Sequence, residues 1–114
     1  MAAPHDAPSA RELVAAVREF LERDVLGSLE GRTRFHALVA MNALSIVERE
    51  MADGAGQAER HRARLDALGY ADDAGLAAAI RAGELDDRDA QVKAALADTV
   101  RDKLLVANPP YLEA

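Results

Sequence analysis

His36 is the first candidate for chemistry, because an imidazole can be a metal ligand or a general base near neutral pH. It lies near the start of a long apolar segment, residues 34–50 (RFHALVAMNALSIVERE). A metal site would need further ligands at helical spacing, and neither E-x-x-H nor H-x-x-x-H occurs in the sequence. We therefore predict no metal site, and we interpret His36 as a hydrogen-bonded structural residue.

Two arginines precede this histidine, and the three residues share one side of a helix start. Arg32, Arg34 and His36 could hold a phosphate group. However, no Gly-rich loop of the P-loop or dinucleotide-binding type accompanies them. We favour an ion pair with Glu30, or with acidic residues of another helix, as the interpretation of these arginines.

The sequence also lacks an assembled nucleophile. It contains no cysteine, which excludes disulfides, thiolate zinc sites and thiol catalysis. No G-x-S-x-G motif occurs, and neither Thr33 nor Thr99 has an obvious base near it in the sequence. We therefore predict no catalytic residue and no cofactor.

The elements that position these residues are expected to be helices. Half of the 114 residues are apolar, but aromatic residues make up only 4% and alanine supplies much of the rest. Alanine is the best helix former, so the composition favours an all-α protein. We predict a compact bundle of about five helices, three long and two short, in a single domain over residues 9–112 after a flexible leader, residues 1–8. The five helices are predicted over residues 10–26, 32–52, 57–68, 73–82 and 87–107.

The predicted helix ends depend on local signals. Ser9 and Glu12 have the spacing of a capping box at the start of the first helix. The sequence D-G-A-G at 53–56 is expected to end the second helix, and Asp86 is expected to cap the fifth. The third helix is mostly charged, with only Ala58, Leu65 and Leu68 to bury, so we expect it to be peripheral. Glycines 69 and 83 are expected to end the third and fourth helices, and the sequence Asn108-Pro109-Pro110 the fifth.

Polar residues also lie on two apolar lines. Phe35, Val39, Asn42 and Ile46 are spaced four, three and four, as in a knobs-into-holes seam. Asn42 is therefore expected to point into the core, where its amide would fix the register, or into a partner interface or a small-molecule contact. Lys103 lies on a similar line of the fifth helix. It either extends to solvent near the helix end, pairs with Glu or Asn across the bundle, or contacts a partner.

Charge and hydropathy limit the functions that the chain could have. The formal net charge is −6, with no basic stripe, so we do not expect nucleic-acid binding. The start MAAPHDAPSA has neither the basic nor the apolar region of a signal peptide, and no apolar run approaches the roughly 20 residues that cross a bilayer. We expect a soluble cytoplasmic protein that does not bind membranes.

Two blocks of the sequence carry a family resemblance. The first is L-E-G-R-x-R-F-H-x-x-V-A-x-N-x-L-x-I-V-x-R-E at residues 29–50, and the second is T-V-R-D-K-L-x-V-A-N-P-x-Y-L at residues 99–112. Together with the first helix, they resemble a family of small bacterial proteins classed as a domain of unknown function. Members are typically encoded beside aminoglycoside-phosphotransferase-like kinases and acyl-CoA dehydrogenases.

This resemblance implies an accessory role in the breakdown of hydroxy acids as CoA thioesters. In such operons the kinase-like protein phosphorylates the hydroxyl group, and a dehydrogenase-like enzyme removes the phosphate. The small helical protein is similar to a non-catalytic companion of the kinase. The residues of the blocks where we expect the partner surface are Arg32, Arg34, His36, Asn42, Arg49, Glu50, Arg101, Lys103, Asn108, Pro109 and Tyr111.

Two other functions remain open from the sequence. The chain could bind a CoA thioester or another anionic metabolite, with Arg32, Arg34 and Lys103 meeting the phosphates. It could also be a self-associating structural bundle, that is, a homo-oligomer.

Overall fold

A computed structural model describes residues 7–113, which form helices and no strand, so the all-α prediction is confirmed. Most of the predicted leader, residues 1–6, lies outside the described residues. The chain divides into two compact units, an N-terminal unit ending at Ala52 and a C-terminal unit beginning at Asp53. The α-helices are α1 (Ala10–Phe20), α2 (Gly31–Leu68), α3 (Asp73–Arg81) and α4 (Asp89–Ala107). Shorter helical turns cover Leu21–Val25, Leu26–Ser28, Asp86–Arg88 and Pro109–Glu113.

The prediction of five helices is wrong, because the second and third predicted helices are one helix, α2. The sequence D-G-A-G at 53–56 does not end a helix. Glycine inside a helix costs only about 1 kcal/mol relative to alanine, and no proline is present to remove a backbone hydrogen bond. The helical segments on both sides therefore continue through these glycines.

The N-terminal unit pairs α1 with the first part of α2. The predicted capping box is confirmed: the Glu12 backbone N–H donates to Ser9 Oγ at 3.1 Å, and the Ser9 backbone N–H donates to Glu12 Oε1 at 3.0 Å. The short connection between the helices makes them antiparallel, and Arg18 of α1 donates two hydrogen bonds to Glu48 of α2. No residue from 7 to 52 is fully buried, so this unit has no closed core of its own.

The C-terminal unit contains the hydrophobic core. Its α2 segment, predicted to be peripheral, instead supplies two core residues, Leu65 and Leu68, while Ala58 is exposed. The prediction failed because some charged residues of this segment face a neighbouring helix rather than solvent: Arg60 and Arg64 hydrogen-bond to Asp102 of α4. The core residues are Leu65, Leu68, Leu76, Ala79, Leu85 and Val92, with Tyr70 and Ala95 packed against them.

Glycine ends two of these helices, as predicted. Gly69 has a φ of 94°, and the Tyr70 N–H donates to the Leu65 carbonyl at 2.9 Å, which is the hydrogen bond of a Schellman motif. Gly83, with a φ of 78°, ends α3 in the same way. The left-handed backbone conformation at these positions favours glycine because it has no Cβ.

The start of α4 differs from the prediction. Asp86 lies in a 3₁₀ turn, Asp86–Arg88, and α4 begins at Asp89, so Asp86 is not its cap. The aspartate that does cap a helix is Asp72, whose carboxylate accepts the Gly75 N–H at 2.7 Å at the start of α3. The end of α4 at Ala107, directly before Asn108, is as predicted.

Candidate functional site

The predicted seam residues of α2 form an exposed apolar line. Phe35 is 61% exposed and Val39 is 51% exposed, Asn42 is exposed, and Ile46 is half-buried. The expectation that the Asn42 amide lies in the core is therefore wrong for this chain by itself. The spacing was read correctly as one face of a helix, but no other helix of the N-terminal unit covers that face. The alternative, that Asn42 belongs to a partner interface, stays a prediction.

This line faces away from α1. Glu48, which binds Arg18 of α1, lies about 140° around the helix from Phe35, the residue that begins the line. The guanidinium of Arg18 also lowers the pKa of the Glu48 carboxyl by hydrogen bonding to its ionised form. The opposite side of α2, with Phe35, Val39 and Asn42, is thus left to solvent within the N-terminal unit.

Within residues 7–113, Arg32 and Arg34 do not form the predicted ion pairs with Glu30 or with acidic residues of another helix. Arg34 donates from Nη1 to the backbone carbonyl of Leu26 at 2.8 Å, and so holds the turn before α2. Arg32 donates from Nε to His36 Nε2 at 3.2 Å. His36 is exposed and its ring lies edge-on to Phe35, with the centroids 5.6 Å apart. His36 is hydrogen-bonded, as expected, but at the surface.

The remaining predicted site residues of α2 are near its middle. Arg49 is half-buried, and its charge contributes, less than that of Arg18, to the lowered pKa of Glu48. Glu50 is exposed. Both residues follow Ile46, the last residue of the Phe35 line, by about one helical turn. They therefore place one charge of each sign beside the end of this apolar line.

The second sequence block lies in the C-terminal unit. Arg101 and Lys103 are exposed on α4, the latter one turn before the helix ends. Asn108 ends α4, where its N–H donates to the Leu104 carbonyl at 2.8 Å and its carbonyl accepts the Tyr111 N–H at 3.1 Å. Tyr111 is thereby fixed in a 3₁₀ turn with its ring exposed, while Pro109 is half-buried.

A polar cluster joins α2 and α4 in the C-terminal unit. Asp102 accepts hydrogen bonds from Arg64 at 2.8 Å and from Arg60 at 3.2 and 3.3 Å. The two arginines lower the pKa of the Asp102 carboxyl, Arg60 being the larger cause. Gln57 donates to the Asp102 backbone carbonyl at 2.8 Å. This cluster fixes the position of α4 against α2.

Thr99 does have a base beside it, contrary to the sequence analysis. His61 Nδ1 lies 3.3 Å from Thr99 Oγ1, and His61 Nε2 lies 2.7 Å from Asp73 Oδ1. Arg64 donates to the same threonine oxygen at 3.2 Å. The hydroxyl is thus held by two partners, and the arrangement ties the start of α3 and the middle of α4 to α2.

Sequence reasoning missed these residues because the helix that carries them was taken to be peripheral. Arg60 and Arg64 are four residues apart, on one face of α2, and this spacing was a visible signal. Their partner, Asp102, is 38 or more residues away, so only the fold could identify it.

Residues 7–113 contain neither a group of metal-binding side chains nor a helix that could span a membrane. In residues 7–113, no three His, Asp or Glu side chains come together in a way that could hold a metal ion. None of the helices in that range is both long and apolar enough to cross a membrane.

Comparison with known proteins gives one match. No curated protein and no solved structure matches the chain. A family model described as "Domain of unknown function (DUF6285)" matches residues 27–111. This range contains the first sequence block, all but the last residue of the second, the Phe35 line and the polar cluster around Asp102. The chain therefore belongs to the DUF6285 family.

Proposed function

We propose that this protein is a non-catalytic accessory subunit of an aminoglycoside-phosphotransferase-like kinase in the bacterial cytoplasm. The kinase would act in the breakdown of hydroxyacyl-CoA or a related hydroxy acid. The gene neighbourhood implied by the family resemblance supports this proposal, together with one structural observation: the exposed line of Phe35, Val39, Asn42 and Ile46 on α2.

This line has the composition of a contact surface. Apolar side chains on exposed helix faces mark sites of protein association, and aromatic residues are enriched at the centre of such interfaces. Phe35 is the largest side chain of the line and one of the most exposed apolar residues of the N-terminal unit. Asn42, an amide among apolar residues, would hydrogen-bond to the partner and set the register of the contact.

The polar residues around the line fit the same role. Arg32 at one end, with His36 as its hydrogen-bond acceptor, and Arg49 and Glu50 at the other end supply charges of both signs. Such groups form the polar rim of an interface, where they set orientation and association rate more than affinity. The apolar line would form the centre of the contact.

The direct test is to co-express the chain with the kinase encoded beside it and to measure binding, kinase solubility and turnover. We expect the two proteins to purify as a complex, and we expect Phe35→Ala to weaken binding by about tenfold or more, as for a central aromatic residue. Ile80→Ala is the control: this isoleucine is 41% exposed on α3 and lies outside the Phe35 line.

Two results would contradict the proposal. One is a kinase that purifies alone with unchanged solubility and turnover. The other is a complex that Ile80→Ala weakens while Phe35→Ala does not, because the contact would then lie on a different face.

A further inference from the structure

A second apolar line lies on α1, and it is distinct from the Phe35 line. Leu13, Val17 and Phe20 are spaced four and three, which places them on one face of the helix. Each of the three side chains is more than half exposed. The face is therefore uncovered within the N-terminal unit.

Residues of α2 lie beside the apolar line of α1, and the Arg18–Glu48 pair shows which residues these are. Arg18 and Glu48 point towards each other from antiparallel helices. Val17 precedes Arg18 and Val47 precedes Glu48, so each valine lies about 100° around its helix from the Arg18–Glu48 contact. Because the two helices run in opposite directions, both rotations are towards the same side of the hairpin. Val17 and Val47 therefore lie on one side, and both are exposed.

Helical spacing extends this side into a continuous surface, the hairpin face. On α1 it consists of Leu13, Val17 and Phe20, and on α2 of Ala40, Ala43, Val47 and Met51, at spacings of three and four. All seven residues are exposed, and none is charged or polar. The Phe35 line lies on a different side of α2.

The area of the hairpin face matches that of one interface. Its five larger side chains leave on the order of 100 Å² exposed each, or about 500 Å² of apolar surface per chain. A stable interface of standard size buries about 800 Å² per partner, of which a little over half is apolar, or about 450 Å². One partner of equal size would thus cover the face.

Two features identify this partner as a second copy of the chain. Two antiparallel helices with one apolar side are half of a four-helix bundle, and a second hairpin supplies the other half by two-fold symmetry. The seven residues of the face carry no charge, so the face offers nothing to select a charged partner.

The contact through the hairpin face differs from the proposed kinase contact in its relation to the family match. The family match begins at residue 27, so α1 lies outside it, whereas the Phe35 line lies inside. We propose that the chain forms a homodimer in which two hairpin faces pack together as a four-helix bundle.

The test is sedimentation velocity of the full chain over a concentration series. We expect the wild type to form a reversible dimer of two 12.2 kDa chains. Val17→Glu is expected to weaken self-association by about 100-fold or more, because it buries a carboxylate in each half of the interface. Val100→Glu is the matched control, since both valines are 52% exposed and Val100 lies on α4 of the other unit.

Further measurements distinguish a lost dimer contact from a Val17→Glu chain that fails to fold. Circular dichroism checks that Val17→Glu keeps its helix content, and Val17→Ala, which introduces no charge, is expected to weaken the dimer about tenfold. The melting temperature of the wild type should rise with concentration, as it does for a dimer that unfolds to monomers.

A wild-type chain that stays monomeric throughout the series would overturn the proposal. So would equal effects of Val17→Glu and Val100→Glu. The kinase is absent from these experiments, so their outcome is independent of the function proposed above.

Discussion

Arg64 on α2 and Asp102 on α4 are joined by a hydrogen bond of 2.8 Å, and both side chains are largely shielded from solvent, with 19% and 14% of their area exposed. Arg60 adds a second guanidinium to the same carboxylate. A charged hydrogen bond that is partly removed from water contributes more than a surface ion pair. This cluster is therefore a main polar contact between α2 and α4, and it can be tested directly.

Asp102→Asn is expected to destabilise the C-terminal unit. The substitution keeps the size of the side chain but removes its charge, leaving Arg60 and Arg64 without a counter-ion, and we expect a loss of about 2 kcal/mol in the free energy of unfolding. Urea denaturation followed by circular dichroism measures this loss. Asp98→Asn, an exposed aspartate one turn earlier on α4, is the control, and an equal effect of the two would show that the cluster contributes nothing special.

The same carboxylate predicts a dependence of stability on pH. The pKa of Asp102 is lowered in the folded chain, so its contribution is complete above the unfolded value of about 3.9 and is lost as the pH falls through the lower folded value. Stability curves of the wild type and Asp102→Asn should therefore run parallel from neutral pH down to about 4 and converge below it. Curves that stay parallel into stronger acid would contradict the assigned pKa shift.

Leu68→Ala tests the core. Leu68 is the most buried core residue, with 3% of its area exposed, and its truncation leaves a cavity between α2 and its neighbours. We expect a loss of about 3 kcal/mol, within the range for buried leucines. Leu96→Ala on α4, where the leucine is partly exposed, should cost less than about 1 kcal/mol by the same denaturation measurement. A larger loss of stability for Leu96→Ala than for Leu68→Ala would show that the core has been placed wrongly.

Gly69→Ala tests the backbone at the end of α2. A Cβ at Gly69 meets no atom within 4 Å, but the φ of 94° is unfavourable for alanine, so we expect a cost of about 1 kcal/mol or more. Gly27→Ala is a close control, because its Cβ also has open space and its φ is not in the left-handed region. If both variants have the same melting temperature, the helix does not end in the described conformation.

Local signals in the sequence predicted the helical class and several helix ends correctly. The capping box at Ser9 and Glu12, the glycine stop at Gly69 and the stop at Asn108 each depend on residues that lie within a few positions of one another. Such contacts form in the same way in any fold, so the chain sequence suffices to place them. The resemblance read from the two blocks likewise agreed with the family that the chain belongs to.

Two local signals also failed, the expected helix end at 53–56 and the expected cap at Asp86. The other failed predictions needed the partner of a helix face. Asn42 was expected to lie in the core because its neighbours are apolar, but periodicity shows only that residues share a face, not what covers that face. For the same reason the charged stretch around Arg60 was taken to be peripheral, although Asp102 binds it from α4.

The sequence by itself therefore determined the secondary structure class, several helix ends and the family, since these depend on local spacing and on motifs. The tertiary structure decided that α2 continues through Gly54 and Gly56, which side of each helix is covered, and that Asp102 and His61 meet their partners. The physical reason is the same in each case: side chains distant in sequence interact only once the helices are packed. Packing also leaves the hairpin face and the Phe35 line exposed, and these surfaces carry both functional proposals.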